Sequence, residues 1–301
     1  MPAAISATLL LDGVFSVLPT AFFDDGGLDL SGTAALARAH LDAGVAGLTV
    51  LGVMGEATEL TEAERGDVLA SVLSAAGHVP VIVGVTGASA EEVVARSMHA
   101  AASGVAAVMV SPTGPLGIDA AIDAAAAGGL PIVVQDYPAG SGVALTVDQM
   151  VAAAERQTLV TGVKAEAPPT SGTIAALRRR CPRLGVVGGL GGLFLIDELR
   201  AGATGTMTGL AVPASLVSIV GAFPADPARA EREWTALLPL IRLEAFSPFS
   251  LAARKEVWRL RGIIASSHCR RQGARLDDHA RGDILRALEQ ATGNLAKLPV
   301  G

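Results

Sequence analysis

The sequence predicts an α/β chain: a (β/α)8 TIM-type barrel over residues 1–212, followed by a C-terminal helical extension over 213–301. Three observations predict it. Short β-branched runs alternate with Ala-, Glu- and Arg-rich helical stretches, the pattern of a parallel sheet with crossover helices. Eight such units fit into the first part of the chain, more than an open doubly wound sheet usually holds, and no G-x-G-x-x-G turn follows the first strand. Beyond residue 213 the strand signals stop while the helical ones continue.

In order, apolar runs at 14–20, 47–51, 80–84, 106–110, 131–135, 159–164, 184–187 and 204–208 read as strands. Helical periodicity falls between them at 31–43, 61–76, 90–103, 117–128, 146–155, 171–180 and 193–201. Thr61-Glu62-Ala63-Glu64 opens the second of these helices, with a threonine that can cap and a glutamate three residues on that can reach back. The basic run Arg178–Arg180 closes the sixth, where cations complement the helix dipole. Helical stretches at 213–222, 227–246, 250–262 and 278–291 form the extension, and no Pro/Gly/Ser linker precedes it. It is expected to pack as a layer on the barrel or at a subunit contact.

Composition narrows the function. Half of the 301 residues are apolar, but glycine interrupts most long runs before they reach the ~20 residues of a membrane-spanning helix. The beginning, MPAAISATLLLDG, lacks the basic segment of a signal peptide, and two cysteines without metal or redox spacing fit a reducing compartment. A soluble cytoplasmic protein is expected. Net charge is −6 and the pI is near 5.4, with no basic patch interleaved with aromatics, which argues against nucleic acid and membrane as partners. The five histidines lie at 40, 78, 99, 268 and 279 without a paired acid at ligand spacing, so no metal is expected.

In a barrel of this kind chemistry sits at the C-terminal ends of the strands. Lysines occur only at 164, 255 and 297. Lys164 closes the sixth run, where burial without a partner would depress its pKa below ~10.4 and free the amine to attack a carbonyl. Snorkelling from the rim or pairing with an acid is the structural alternative. Lys255 and Lys297 stand in charged helical or terminal contexts and read as surface residues. Glu166 shares a face with Lys164 at strand spacing, either as its ion pair or as an acid/base beside it. By the same period Gln135 faces the way Tyr137, the only tyrosine, faces, and Asp136 the other way.

Two glycine-rich stretches complete the candidates. Gly52-Val53-Met54-Gly55-Glu56 follows the second strand and can present backbone N–H groups to a carboxylate, or simply turn. Gly188-Gly189-Leu190-Gly191-Gly192 follows the seventh, as a phosphate cradle, as a close approach to another ligand, or as a turn.

Several strand ends, in this order, resemble the N-acetylneuraminate lyase and dihydrodipicolinate synthase superfamily of class I aldolases: GVFSVLPTAF from Gly13, GVMGEATELTEAER at 52–65, GVKAE around Lys164, and GATGTMTG at 202–209. The resemblance spans roughly residues 13–215 and implies a Schiff base at Lys164, a covalent lysine imine with substrate and no other cofactor. It also implies a small-molecule 2-oxo acid, with an aldehyde as second partner, and a homo-oligomer, dimer or tetramer. Strand spacing adds Glu166 beside Lys164 and Tyr137 on the face of Gln135, so Lys164, Tyr137, Glu166 and Gln135 are the candidate catalytic set. Thr20, Gly52, Val53, Met54, Gly189, Leu190 and Thr208 become the substrate-binding set.

The departures are informative. Gln135 holds the position of the family's catalytic tyrosine, and Tyr137 stands two residues later. The second-strand threonine pair is Val53-Met54. The synthase branch's carboxylate-binding arginine is matched by Gly140, and its tyrosine pair after the fourth strand by Thr113-Gly114. Losing one such arginine contact costs about 1.5–3 kcal/mol. The expected activity is therefore an aldolase-type lyase making or breaking a C–C bond on pyruvate or a related 2-oxo acid. A dehydratase of a 2-oxo-3-deoxy acid is the second reading. 4-Hydroxy-tetrahydrodipicolinate synthase is disfavoured by the missing side chains, and a ligand-binding barrel without activity is disfavoured by the retention of Lys164 and Glu166.

Overall fold

A computed structural model describes residues 11–245, 250–273 and 275–292. The sequence readings of Lys297, of the first ten residues and of residue 246 lie outside them. Eight parallel strands close into a barrel in sequence order: β1 Gly13–Val17, β2 Gly47–Val50, β3 Val81–Gly84, β4 Ala107–Val110, β5 Ile132–Asp136, β6 Val160–Ala165, β7 Gly185–Gly188 and β8 Gly205–Thr208. The first strand ends three residues earlier than its apolar run, because Leu18 onward turns across the barrel mouth.

The crossover helices are α1 Leu30–Asp42, α2 Glu62–Ala76, α3 Ala90–Ala102, α4 Ile118–Ala125, the short α5 Pro138–Ser141, α6 Val147–Arg156, α7 Thr170–Arg180 and α8 Leu195–Arg200. Capping chemistry sets several of their starts. Thr61 accepts from the Glu64 N–H while the Glu64 carboxylate accepts from the Thr61 N–H, and Thr146 and Gln149 repeat the motif on α6.

Strands covered on both faces are apolar throughout. Their inward residues, among them Phe15, Ile82, Met109, Val133, Val187 and Met207, fill the barrel, while the outward ones join the helices in a second, larger core. The extension shares that larger core through Leu216, Ile219, Leu237, Ile241 and Trp258. It comprises α9 Pro213–Ala222, α10 Pro227–Ala245, α11 Ser250–Leu260 and α12 Asp278–Thr292. Among the described residues no single helix is long and apolar enough to cross a membrane.

Candidate active site

Register puts Gln135 of β5 beside Lys164 of β6, with Val187 of β7 on the other side of the lysine. Glu166, one residue past β6, follows Lys164 onto the inner face. The three polar groups meet there. Lys164 Nζ lies 3.0 Å from Glu166 Oε2, which also accepts from Gln135 Nε2 at 2.7 Å, while Oε1 accepts from the Leu190 N–H at 3.2 Å. The ammonium is therefore not an unpartnered buried charge. It has a carboxylate partner, and that carboxylate is fixed by donors from the ends of β5, β6 and β7.

These contacts assign Gln135 a task. An amide cannot shuttle a proton as a phenol can, but its N–H orients the carboxylate that faces the lysine. Gln135 thus holds the Glu166 oxygen that lies beside Lys164. The glycine-rich loop after β7 is explained in the same way: a Cβ on Gly189 would overlap Glu166 Oε1, and one on Gly188 would overlap the carboxylate of Glu198. At Gly189 the group that the backbone approaches closely is the chain's own Glu166 carboxylate. Leu190 is left at φ 47, a conformation that costs a non-glycine residue about 1–3 kcal/mol and that aims its N–H at Glu166.

Glu198 was not foreseen. Its carboxyl is fully buried behind β7, accepts from Thr170 Oγ1 at 2.8 Å, and has no partner for Oε2 among the described residues. Burial, with the charge of Glu166 adding to it, raises its pKa to about 7.

Tyr137 lies just past β5 and leads into α5, and its side chain lines the same cavity as Gln135, Lys164 and Glu166. Asp136 points the other way, buried against the Leu145 N–H, as the period-2 reading expects. Burial, then the charge of Glu166, pushes the phenol's pKa upward. It therefore stays protonated at neutral pH and can give a hydrogen bond. A Cβ on Gly140 would overlap the edge of the Tyr137 ring, so the ring rests where a larger residue at 140 would place its first carbon.

The opposite wall is the loop after β2. Gly52, Val53 and Met54 line the cavity there, and the short turn Val53–Gly55 is bracketed by Leu51 at φ 58 and Glu56 at φ 52. Thr20 is not in the wall. Its hydroxyl donates to the Gly55 carbonyl at 2.7 Å in the interior, so it holds this loop against β1 from behind. Gly189 likewise backs the site rather than lining it, whereas Leu190 and Thr208 are in the wall.

The reading of Lys255 as a surface residue is wrong. It is fully buried, with Nζ 2.5 Å from Glu56 Oε1 and donating to the His268 carbonyl at 2.8 Å. The Arg271 N–H donates to Glu56 Oε2 at 2.8 Å, and Arg271 Nη2 to the Val53 carbonyl at 2.9 Å. The extension thus straps the β2 loop. Its neighbour Arg254 is also buried, paired with Glu244, and both line the cavity. A signal for these was present: Arg254-Lys255-Glu256 is flanked by Leu251, Ala252, Ala253, Val257 and Trp258, which leaves the helix no polar face for them. Among the described residues no group of three or more His, Cys, Asp or Glu could hold a metal ion.

The model of the dihydrodipicolinate synthetase family matches residues 10–291. The chain is 33% identical over 290 residues to L-2-keto-3-deoxyarabonate dehydratase of Azospirillum brasilense, covering 91% of this chain and 92% of the relative. It is 31% identical over 205 residues to 4-hydroxy-tetrahydrodipicolinate synthase of Stenotrophomonas maltophilia, covering 66% and 68%. Among solved structures it is similar to dihydrodipicolinate synthase of Rhodopseudomonas palustris, with a TM-score of 0.88, 32% identity, and coverage of 93% and 97%. A prophage protein of the dihydrodipicolinic acid synthase family from E. coli K12, solved in complex with pyruvate, gives 0.86 and 26%, over 94% and 99%.

Proposed function

The chain belongs to the dihydrodipicolinate synthetase family and is a lyase of the class I aldolase type, and from that premise we propose that it dehydrates a 2-oxo-3-deoxy acid through an imine at Lys164. The observation carrying this reading is the buried Lys164–Glu166 contact of 3.0 Å, with the carboxylate held on its far side by Gln135 and Leu190.

Glu166 takes a proton from Nζ, and the neutral amine adds to the C2 carbonyl. Water leaves with the proton returned by Glu166, giving the iminium. Glu166 then removes a C3 proton, the C–H electron pair forming the C2–C3 double bond while the C=N pair moves onto the lysine nitrogen, which gives an enamine. The enamine pushes out the C4 hydroxyl, which leaves as water with a proton from the Tyr137 phenol; hydrolysis of the resulting unsaturated iminium frees Lys164 as its ammonium, and the proton that Glu166 took from C3 returns to the Tyr137 phenolate. The substrate carboxylate is assigned to the backbone N–H groups of Val53 and Met54, whose side chains offer no hydroxyls.

Dehydration is preferred over C–C cleavage on two grounds. Cleavage needs an acceptor for the C4 hydroxyl proton, whereas burial keeps the Tyr137 phenol protonated and makes it a donor. The relative matched over nine-tenths of both chains is also a dehydratase. Borohydride reduction in the presence of pyruvate should add one pyruvyl group to the intact protein, and Lys164→Ala should abolish the adduct. With a five-carbon 2-oxo-3-deoxy acid the product should retain every carbon; release of pyruvate and an aldehyde instead would overturn the dehydratase reading in favour of cleavage.

A further inference from the structure

The arginine that the synthase branch would place after β5 is absent, yet the cavity contains a guanidinium from elsewhere in the chain. Arg254 comes from α11 of the extension and reaches the wall formed by Thr208, Gly209 and Ala245. It is only 3% exposed. Its Nε donates to Glu244 Oε2 at 3.1 Å and its Nη2 to the Glu244 carbonyl at 3.2 Å, so two of its nitrogens are committed to one residue. Nη1 is not committed to Glu244, and it lies 3.1 Å from where a Cβ on Gly209 would stand. A Cβ there would also overlap the Val17 carbonyl oxygen, so glycine at 209 admits the β1 backbone first and the guanidinium beside it.

Glu244 is as constrained as its partner. Fully buried near the end of α10, it accepts from the Ala211 N–H at 3.0 Å with the oxygen that Arg254 also contacts. Burial raises its pKa to about 6 against the pull of Arg254. The pair is thus a donor beside an acceptor, with little net charge, in the part of the cavity left over once Lys164 and the β2 loop are assigned.

We propose that Arg254 and Glu244 form the subsite for the substrate's distal end, and that the pair selects an uncharged, hydroxylated tail over a carboxylated one. This rests on the imine reading given above, since the distal end is defined by carboxylate and C2 being held at the β2 loop and Lys164. The chemistry follows from the pairing. A hydroxyl can accept from guanidinium and donate to carboxylate at once. A second carboxylate would gain from Arg254 but meet the like charge of Glu244 within the same buried wall, and like charges at close range are strongly disfavoured there. Here the guanidinium comes with its own carboxylate, so the wall offers a donor and an acceptor together and not a bare cation.

The test is competition for the Lys164 imine, which reads binding without depending on which bond is cleaved. Wild-type protein is trapped with pyruvate and borohydride in the presence of a 2-oxo-3-deoxypentonate, 2-oxoglutarate or 2-oxobutyrate, and the protection constant of each is measured. The wild type should favour the pentonate over 2-oxoglutarate by at least tenfold. Glu244→Gln retains an acceptor for Arg254 and Ala211 but removes the charge, so it should move that ratio toward 2-oxoglutarate by tenfold or more. Arg254→Met should lower pentonate protection at least tenfold relative to 2-oxobutyrate, which has no polar tail.

Equal protection by all three acids in the wild type would overturn the proposal. A Glu244→Gln protein that weakens pentonate and 2-oxoglutarate alike would overturn it too, because a purely structural role predicts that pattern. Failure of wild-type protein to form any pyruvyl adduct would instead refute the imine reading beneath it, so the two failures are distinguishable.

Discussion

Replacing Lys255 by methionine should destabilise the protein more than any exposed-charge change can. The ammonium and the Glu56 carboxylate are both fully buried at 2.5 Å, and Lys255 Nζ also sits 4.4 Å from the centre of the Phe22 ring. Methionine fills the volume but leaves Glu56 as a buried carboxylate to which, among the described residues, only the Arg271 N–H still donates. Breaking one side of a buried pair costs about 3–5 kcal/mol. For 301 residues at ~2.1 cal/mol/K each, that lowers Tm by roughly 5–8 °C. Urea unfolding with an unchanged m-value is the assay of choice, since urea does not screen charge. The double variant Lys255→Met/Glu56→Gln, which removes the orphaned charge, should recover about 2 kcal/mol of the loss. A single-variant cost below about 1 kcal/mol, or a double variant no better than the single, would refute the claim that this pair holds the extension to the β2 loop.

Glu198 should make stability fall as pH rises. Its folded pKa of about 7 lies above the ordinary 4.5, so the folded state keeps its proton where the unfolded state has lost it. The stabilisation is complete below 4.5 and is lost as pH rises to 7, about 3 kcal/mol in all. Glu198→Gln cannot ionise, so its urea stability relative to wild type should improve by about that amount between pH 4.5 and 7.5; a pH-independent difference would show that the carboxyl is already ionised in the fold. Gly189→Ala should displace Glu166 from the Leu190 N–H and away from Lys164, lowering kcat by about 100-fold with the fold intact by circular dichroism. Unchanged turnover would mean that the position of Glu166 is not needed for the chemistry.

The barrel was legible because its signal is repeated: eight apolar runs separated by helical periodicity recover every strand to within a few residues. Lys164 and Glu166 were legible for a similar reason, since strand periodicity fixes their shared face. What sequence hid was pairing across long separations. Lys255 is 199 residues from Glu56, and a charged trio on a helix reads as solvated until the partner loop is seen folded against it. Thr20 enters the substrate-binding set through the resemblance alone, and sequence could not show that its hydroxyl is engaged by the Gly55 carbonyl 35 residues on.

The changes around β5 follow from one another. With glutamine at 135, the position next to Lys164 no longer carries a proton shuttle, and the amide instead fixes Glu166. A phenol two residues further on can enter the same cavity only if its ring has room over α5, and Gly140 supplies that room, because any side chain there would begin inside the ring. An arginine at 140 and a tyrosine ring resting at that point are therefore mutually exclusive. Among the described residues the guanidinium that lines this cavity is that of Arg254, carried by the extension and paired with Glu244. An arginine introduced at 140 in this chain would therefore have to push the Tyr137 ring out of its place, and it would bring a second guanidinium toward a cavity that Arg254 already lines.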